Sequence, residues 1–205
     1  MNRIEHEDKD FIIAYKEHGV PTVPLKTQNA DGTLLGYVAD RYPEVLKVCG
    51  KQSWEGGAVH RLDTETAGLV VFARSQRFYD FIIKEQEKGR FLKTYTALTD
   101  GDFIKSGDVS TYFRAFGVGH KLVKAESDIK KSDNKVMYTT SITRLEKEKY
   151  RCVISNGFRH QIRVHLATGG CPIRGDKLYN TQSDEEVMQL ECVGVSWQGF
   201  TYNLQ

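Results

Sequence analysis

Val59-His60-Arg61-Leu62-Asp63-Thr64-Glu65-Thr66-Ala67-Gly68-Leu69 sets a knot of polar side chains directly ahead of an apolar run. That run, Leu69–Ala73, is rich in Val and Phe and predicts a buried strand. Ser75 then supplies an N-cap, Phe78, Phe81, Ile82 and Glu85 follow at helical spacing, and Gly89 stops the pattern. A helix is therefore expected from Ser75 to about Lys88. Loops at the ends of buried strands often hold reactive groups, because the scaffold beneath them is rigid. In such a seat Asp63 is the natural nucleophile or base, and Arg61 supplies positive charge without being able to deprotonate. The same residues also describe a capped turn in which Asp63 and Thr64 bond local N–H groups, and for an isolated motif that is the commoner case.

Working outward, Phe11–Tyr15 reads as a first strand and residues 26–36 as a loop with an Asp31-Gly32 turn. Lys93–Leu98 reads as a strand with Lys93, Tyr95 and Ala97 on one face. Val136–Leu145 and Tyr150–Ser155 flank Glu-Lys-Glu-Lys and predict an antiparallel hairpin. Residues 159–168 fit a short helix between the Asn156-Gly157 turn and Gly169-Gly170, and Val193–Phe200 a final strand. Residues 100–135 are polar and lysine-bearing and are expected to be irregular, an insertion or mobile loop. With no internal repeat or Pro/Ser-rich linker, the expectation is one domain over residues 1–205. Its class is α/β (α+β), a mixed, largely antiparallel sheet with flanking helices and loops.

Hydrophobic residues make up 40% and charged residues 27% of the 205, ordinary for a globular chain. The longest apolar runs, such as Ala67–Ala73, fall far short of the roughly 20 residues that span a bilayer. Met1–Asp10 is charged and has no apolar core, so no signal peptide is expected. Cys49, Cys152, Cys171 and Cys192 form no Cys-x-x-Cys pair, which excludes a zinc ribbon and a thioredoxin motif and fits reduced thiols in the cytoplasm. The net charge of +2 is unevenly spread. Residues 60–150 carry 17 basic and 13 acidic side chains, and residues 151–180 carry 5 and 1. Residues 181–205 carry 4 acidic side chains and no Lys or Arg. A polyanionic partner fits the basic centre, as does an ordinary solvated surface.

A second constellation is Gly157-Phe158-Arg159-His160-Gln161-Ile162-Arg163-Val164-His165-Leu166. On a helix Arg159 and Arg163 would share a face one turn apart, as would Gln161 and His165. The five-residue spacing of His160 and His165, with no Glu between them, does not match a zincin helix, so no metal site is expected. A phosphate or carboxylate clamp fits the arginines better, against the plainer alternative of a basic surface helix. Cys171-Pro172-Ile173-Arg174-Gly175-Asp176-Lys177-Leu178-Tyr179 suggests a shaped turn. Tyr95 reads as a core or half-buried aromatic, or as a platform for a flat base.

In this order the segments resemble the RluA family of pseudouridine synthases. That family's pattern runs His-Arg-Leu-Asp, Lys-x-Tyr, His-Gln-Ile-Arg-Val-His-Leu and Gly-x-Pro-Ile-x-Gly-Asp-x-x-Tyr. Here these stand as His60–Asp63, Lys93–Tyr95, His160–Leu166 and Gly170–Tyr179. The resemblance extends from about Ile12 to the C-terminus. Three departures stand out: Ala67 for the usual Ser, Phe158-Arg159 for Arg-x, and Glu17 for the usual Pro after Lys16. None touches Asp63, Tyr95 or Arg163. The family often carries an N-terminal S4 RNA-binding domain; with about ten residues ahead of the first strand, none is expected here.

The resemblance implies isomerisation of uridine in ribosomal or transfer RNA to pseudouridine, with no cofactor, nucleotide or metal. Asp63 would be the essential carboxylate, attacking C1′ or abstracting the C2′ proton. Arg163 would pair with it and keep it ionised, and Tyr95 would pack on the uracil. The target base would be flipped or already unpaired. Arg61, His60, Arg159, His160 and Arg174 would contact the RNA, and a monomer is assumed. Two rivals are weighed. A catalytically silent RNA-binding homologue would not need Asp63, Tyr95 and Arg163 together. A glycoside hydrolase pairing Asp63 with Glu65 or Asp176 leaves the arginines unexplained. A zinc base deaminase is excluded, because its His-x-Glu and Pro-Cys-x-x-Cys signature is missing.

Overall fold

The computed structural model describes residues 1–26, 29–102 and 106–205. Residues 27 and 28 of the expected 26–36 loop, and residues 103–105 of the 100–135 segment, lie outside the described residues. In chain order the strands are β1 (Arg3–Glu7), β2 (Phe11–Lys16), β3 (Ala67–Ala73), β4 (Leu92–Leu98), β5 (Gly107–Phe116), β6 (Leu122–Glu126), β7 (Tyr138–Glu146), β8 (Lys149–Ile154), β9 (Leu190–Trp197) and β10 (Phe200–Asn203). The helices are α1 (Leu34–Ala39), α2 (Gln76–Glu87) and α3 (Gln161–Thr168). The chain groups into two compact units, residues 1–91 with 191–205, and residues 92–190. The fold is mixed α and β with mainly antiparallel strands, the expected class. Among the described residues no helix is long and apolar enough to cross a membrane.

In the first unit β2 lies antiparallel between β1 and β3, β3 pairs parallel with β9, and β9 turns back on β10. Every residue of β3 is buried, so its apolar run is continuous rather than alternating. Ser75 caps α2 by accepting from the Phe78 N–H at 3.3 Å. Ile82 and Glu85 face inward as the spacing predicts, whereas Phe81 is largely exposed. The buried Glu85 carboxylate is matched by both forks of Arg90, at 2.8 and 2.5 Å. Phe11 stacks on Phe78 at 5.0 Å and meets Trp197 edge-on at 5.1 Å.

Three features of this unit differ from the sequence expectation. β1 was not predicted, because its alternating charges describe a polar edge strand with no apolar face. The expected strand over 193–200 is a hairpin instead, broken where Gly199 takes φ +79° between β9 and β10. α1 begins inside the expected 26–36 loop, because Thr33 caps it by accepting from the Gly36 N–H at 3.1 Å.

The second unit is an antiparallel run in the order β4, β8, β7, β5, β6. The hairpin of β7 and β8 and the helix α3 form where expected. The 100–135 segment does not stay irregular: β5 and β6 pair from Tyr112↔Glu126 to Phe116↔Leu122. The lysines hid an alternation in which Phe113 and Val123 point into the core beside Val164 of α3. Phe113 stacks on Phe158 with ring centroids 5.1 Å apart and planes within 9°.

His165 of α3 is buried and bridges two strands. Its Nε2 lies 2.8 Å from Thr111 Oγ1 on β5, and its Nδ1 lies 2.8 Å from Thr140 Oγ1 on β7. Burial pushes the imidazole down to about 4 from an ordinary 6.5. The folded protein therefore holds this proton more weakly than the unfolded chain does. The resulting stability is complete above the unfolded value and is lost as pH falls through the folded one, by about 3 kcal/mol at most. Urea denaturation across that window is expected to show a steeper acid loss in the wild type than in His165→Gln, which has no proton to take up there.

Candidate active site

The polar knot ahead of β3 is bonded to the scaffold at almost every residue. Val59 N–H donates to Val71 O at 3.1 Å, and Val59 O accepts from Gln86 Nε2 of α2 at 2.7 Å. His60 Nε2 accepts from the Val71 N–H at 3.2 Å, and its ring packs on Phe91. Thr22 Oγ1 accepts from Leu62 N–H at 3.1 Å and lies 3.0 Å from Leu62 O, to which it donates. Asp63 O accepts from the Thr66 N–H at 3.0 Å, closing the turn that carries the Asp63 carboxyl. Thr64 O accepts from Gly19 N–H at 2.9 Å and from Lys16 Nζ at 3.0 Å. His18 Nδ1 donates to Glu65 O at 2.7 Å.

Asp63 is half-buried on this mount, and Arg61 is exposed. Arg61 Nη1 donates to Glu55 Oε1 at 2.7 Å, and the Glu55 carboxylate is itself buried. These residues belong to the first unit, with His60. Tyr95, Arg159, His160, Arg163 and Arg174 belong to the second.

In the second unit Tyr95 lies buried on β4, on the same face as Lys93 and Ala97, as predicted. Arg163 is only 2% exposed, on α3. Its Nε and Nη2 grip Asp176 Oδ2 and Oδ1, each at 2.7 Å, in a planar fork. Asp176 Oδ1 also accepts from the N–H groups of Leu178 (2.9 Å) and Tyr179 (3.2 Å). The clamp expected of the arginines thus closes on a carboxylate of the protein. The Tyr179 ring lies 5.3 Å from the Arg163 guanidinium, and its hydroxyl accepts from the Val123 N–H at 2.8 Å and meets His160 Nδ1 at 2.9 Å.

Arg159 does not share a helical face with Arg163. His160 takes a left-handed φ of +59°, the helix begins only at Gln161, and Arg159 is exposed ahead of it. Arg159 Nη2 donates to the carbonyl of His120 in the turn between β5 and β6. Arg174 meets Asp100 Oδ1 at 3.2 Å and Glu148 Oε2 at 2.5 Å and donates to Thr99 O at 3.1 Å. The sequence reading missed Asp176 as a partner of Arg163, and Lys16 and Thr22 as supports of the Asp63 loop. The one signal for Lys16 was a lone lysine ending an apolar strand.

A family model described as RNA pseudouridylate synthase matches residues 10–168. The chain belongs to this family. An uncharacterized RNA pseudouridine synthase of Bacillus subtilis is 30% identical over 84% of this chain and 56% of its own length. The ribosomal large subunit pseudouridine synthase D of Haemophilus ducreyi is 31% identical over 86% and 52%. The chain therefore spans about half the length of the curated relatives it matches. Human RNA pseudouridylate synthase domain containing 1 shares the fold, with a TM-score of 0.75 at 20% identity over 100% of this chain and 82% of that one.

Within this family member the fork between Arg163 and Asp176 should prove a pair that tolerates no half. Asp176→Ala takes this carboxylate away from a buried guanidinium and is expected to cost about 3–5 kcal/mol. Joint replacement, Arg163→Met with Asp176→Asn, removes both charges while keeping an acceptor for the Leu178 and Tyr179 N–H groups, and is expected to recover part of that stability. Urea denaturation of the single and double variants measures both.

Proposed function

We propose that this protein is an RNA pseudouridine synthase that isomerises uridine in RNA, with Asp63 as its essential carboxylate. What carries the reading is Asp63 itself: it stands in His60-Arg61-Leu62-Asp63, inside the span matched by the family, on a loop bonded to the scaffold on both sides. In the reaction the C1′–N1 bond breaks, the uracil turns, and C1′ rejoins at C5, with no net oxidation or hydrolysis. A pinned carboxylate suits this work, because the attacking or proton-abstracting oxygen must meet one sugar at a fixed distance. Tyr95 offers a ring for the uracil, and Arg163 a fixed cation for the carboxylate chemistry. Ribosomal RNA is the favoured substrate over transfer RNA, since relatives carry ribosomal large subunit names. A monomer acting in the cytoplasm fits the reduced thiols and this substrate.

For RNA contact we favour Arg61 and Arg159, which are exposed. Arg61, held by Glu55 in the absence of RNA, is assigned to turn toward a phosphate or into the stack left by a flipped base. His160 and Arg174 we assign to shaping their turns, since each is bonded to neighbouring side chains. Lys121, Lys130 and Lys131 on the β5–β6 side of the second unit are exposed and suit a strip along the RNA backbone.

The test is tritium release from uracil C5 in unmodified ribosomal and transfer RNA, offered separately. Wild-type protein is expected to release label from ribosomal RNA, and Asp63→Asn to release none while still binding. Binding without release by the wild type on either RNA would instead favour a silent RNA-binding homologue. Replacing Lys130 and Lys131 by Glu is expected to weaken binding and flatten its salt dependence, because each lost phosphate contact removes about 0.7–0.9 from the log–log slope. A filter-binding titration at several salt concentrations reads that slope.

A further inference from the structure

Arg61 and Glu55 form an ion pair inside the first unit, and the pair is lopsided. The Glu55 side chain is 6% exposed and that of Arg61 59%. Arg61 Nη1 donates to Glu55 Oε1 at 2.7 Å. The Nε–Nη2 edge of the guanidinium meets no protein acceptor among the described residues. With that same edge Arg163 forks its carboxylate. Arg61 is thus held by one corner, and the edge that suits a two-oxygen anion is left open.

Glu55 is fixed by the chain around it. Its N–H donates to Gln52 O at 3.0 Å, its carbonyl accepts from Ala58 N–H at 3.2 Å, and its Oε2 accepts from Gln52 N–H at 3.3 Å. Two glycines follow it. Gly56 takes φ +50°, and a Cβ on Gly57 would stand 2.2 Å from the Ala73 carbonyl oxygen. The bend can therefore press against the end of β3 and carry Glu55 under cover. A carboxylate beside an RNA-facing loop repels phosphate, and burying it is costly. The stability of a pair with one exposed partner is too small to account for such a residue. A fixed acceptor for Arg61 does account for it. An exposed arginine has several rotatable bonds, and ordering it before the anion arrives removes that cost from binding.

We propose that Glu55 is a positioning residue for RNA binding: its buried carboxylate holds Arg61 so that the Nε–Nη2 edge stands ready as a fork for one RNA phosphate. The proposal rests on the reading of Arg61 as an RNA contact and, of the two roles open to that side chain, assigns the phosphate. The hold itself stands on geometry alone.

Glu55→Met keeps the side chain's length and removes its acceptor. Plain electrostatics predicts tighter RNA binding when that negative charge is lost, and the fork predicts the opposite sign. In filter binding to unmodified ribosomal RNA, Glu55→Met is expected to weaken affinity at least about fivefold and to lower the log–log salt slope by about 0.7–0.9, one phosphate contact. Glu55→Gln, which keeps an acceptor without the charge, is expected to fall between it and the wild type. In an Arg61→Ala background neither change is expected to weaken binding further. Unchanged or tighter binding by folded Glu55→Met overturns the proposal, as does an equal loss in the Arg61→Ala background. Nitrogen relaxation by NMR at Arg61 Nε tests the hold without RNA: the side chain is expected to be ordered in the wild type and mobile in Glu55→Met. A mobile Arg61 in the unaltered protein overturns the proposal whatever the variants do. Failure of the wild type to bind RNA would sink the RNA reading and the fork with it, while the relaxation would still decide the hold.

Discussion

Lys16 and Arg163, among the described cations carried out of water, each dictate the chain around them. A buried charge costs several kcal/mol unless hydrogen bonds meet it in fixed geometry. Lys16 and Arg163 solve the problem differently because their donors differ. The ammonium radiates three bonds from a point, and backbone carbonyls from two separate segments converge on it. The guanidinium is a plane, and it takes a carboxylate edge-on. Asp176 is in turn held by the N–H groups of Leu178 and Tyr179, so the Cys171–Tyr179 segment must adopt the turn that presents it. The shaped turn read from Pro, Gly and Asp is therefore a socket for Arg163. In the first unit, the turn after β2 is a socket for Lys16, and the Asp63 loop completes it.

These sockets also explain why the loops here are well defined without being regular. The Asp63 loop has no ladder of its own. It borrows partners from β2's following turn, from β3 and from α2, which supplies Gln86 to Val59. A loop anchored in that way carries a reactive group with little reorganisation when substrate arrives, which is where preorganisation helps catalysis. The β5–β6 hairpin is built on the opposite plan. Its inner face is fixed by Phe113 and Val123, while its turn, with Val118 94% exposed, projects into solvent. That turn is tied back by Arg159 Nη2 at the His120 carbonyl.

Much of this was legible in the sequence. The all-buried β3, the capped α2 and the hairpin of β7 and β8 each announced themselves by period and punctuation. Asp63 was legible as a candidate because a carboxylate beside His60 and Arg61 stood in a polar knot ahead of an apolar strand. What stayed hidden needed long-range information. β5 and β6 place only every second residue inward, and the intervening lysines masked the pattern. Asp176 lies 13 residues from Arg163, so no local spacing links them. The faces of Arg159 and Arg163 were misread because a helical wheel assumes a helix, and the left-handed His160 ends it one residue too soon. Lys16 was passed over because lysines are almost always solvated.

The departures from the RluA pattern are each absorbed locally, and that bears on whether the site is intact. Where the family has Pro after the lysine, Glu17 has an N–H, and it donates to Asn2 Oδ1 at 2.9 Å, a bond proline lacks. The departure thus ties β2 to the residue ahead of β1 without altering the carbonyl that Lys16 uses. Where the family has Ser, Ala67 is fully buried and brings no hydroxyl that would need a partner. Its neighbour Gly68 carries the tighter constraint: at φ +116°, a Cβ would stand 2.3 Å from the Cys192 carbonyl oxygen. The close approach of β3 to β9 depends on that glycine, not on residue 67. Phe158, where the family has arginine, stacks flat on Phe113, and an arginine stands one place on as the exposed Arg159. Two of the three changes have found new partners and the third needs none, while the backbone bonds on either side of Asp63 stand.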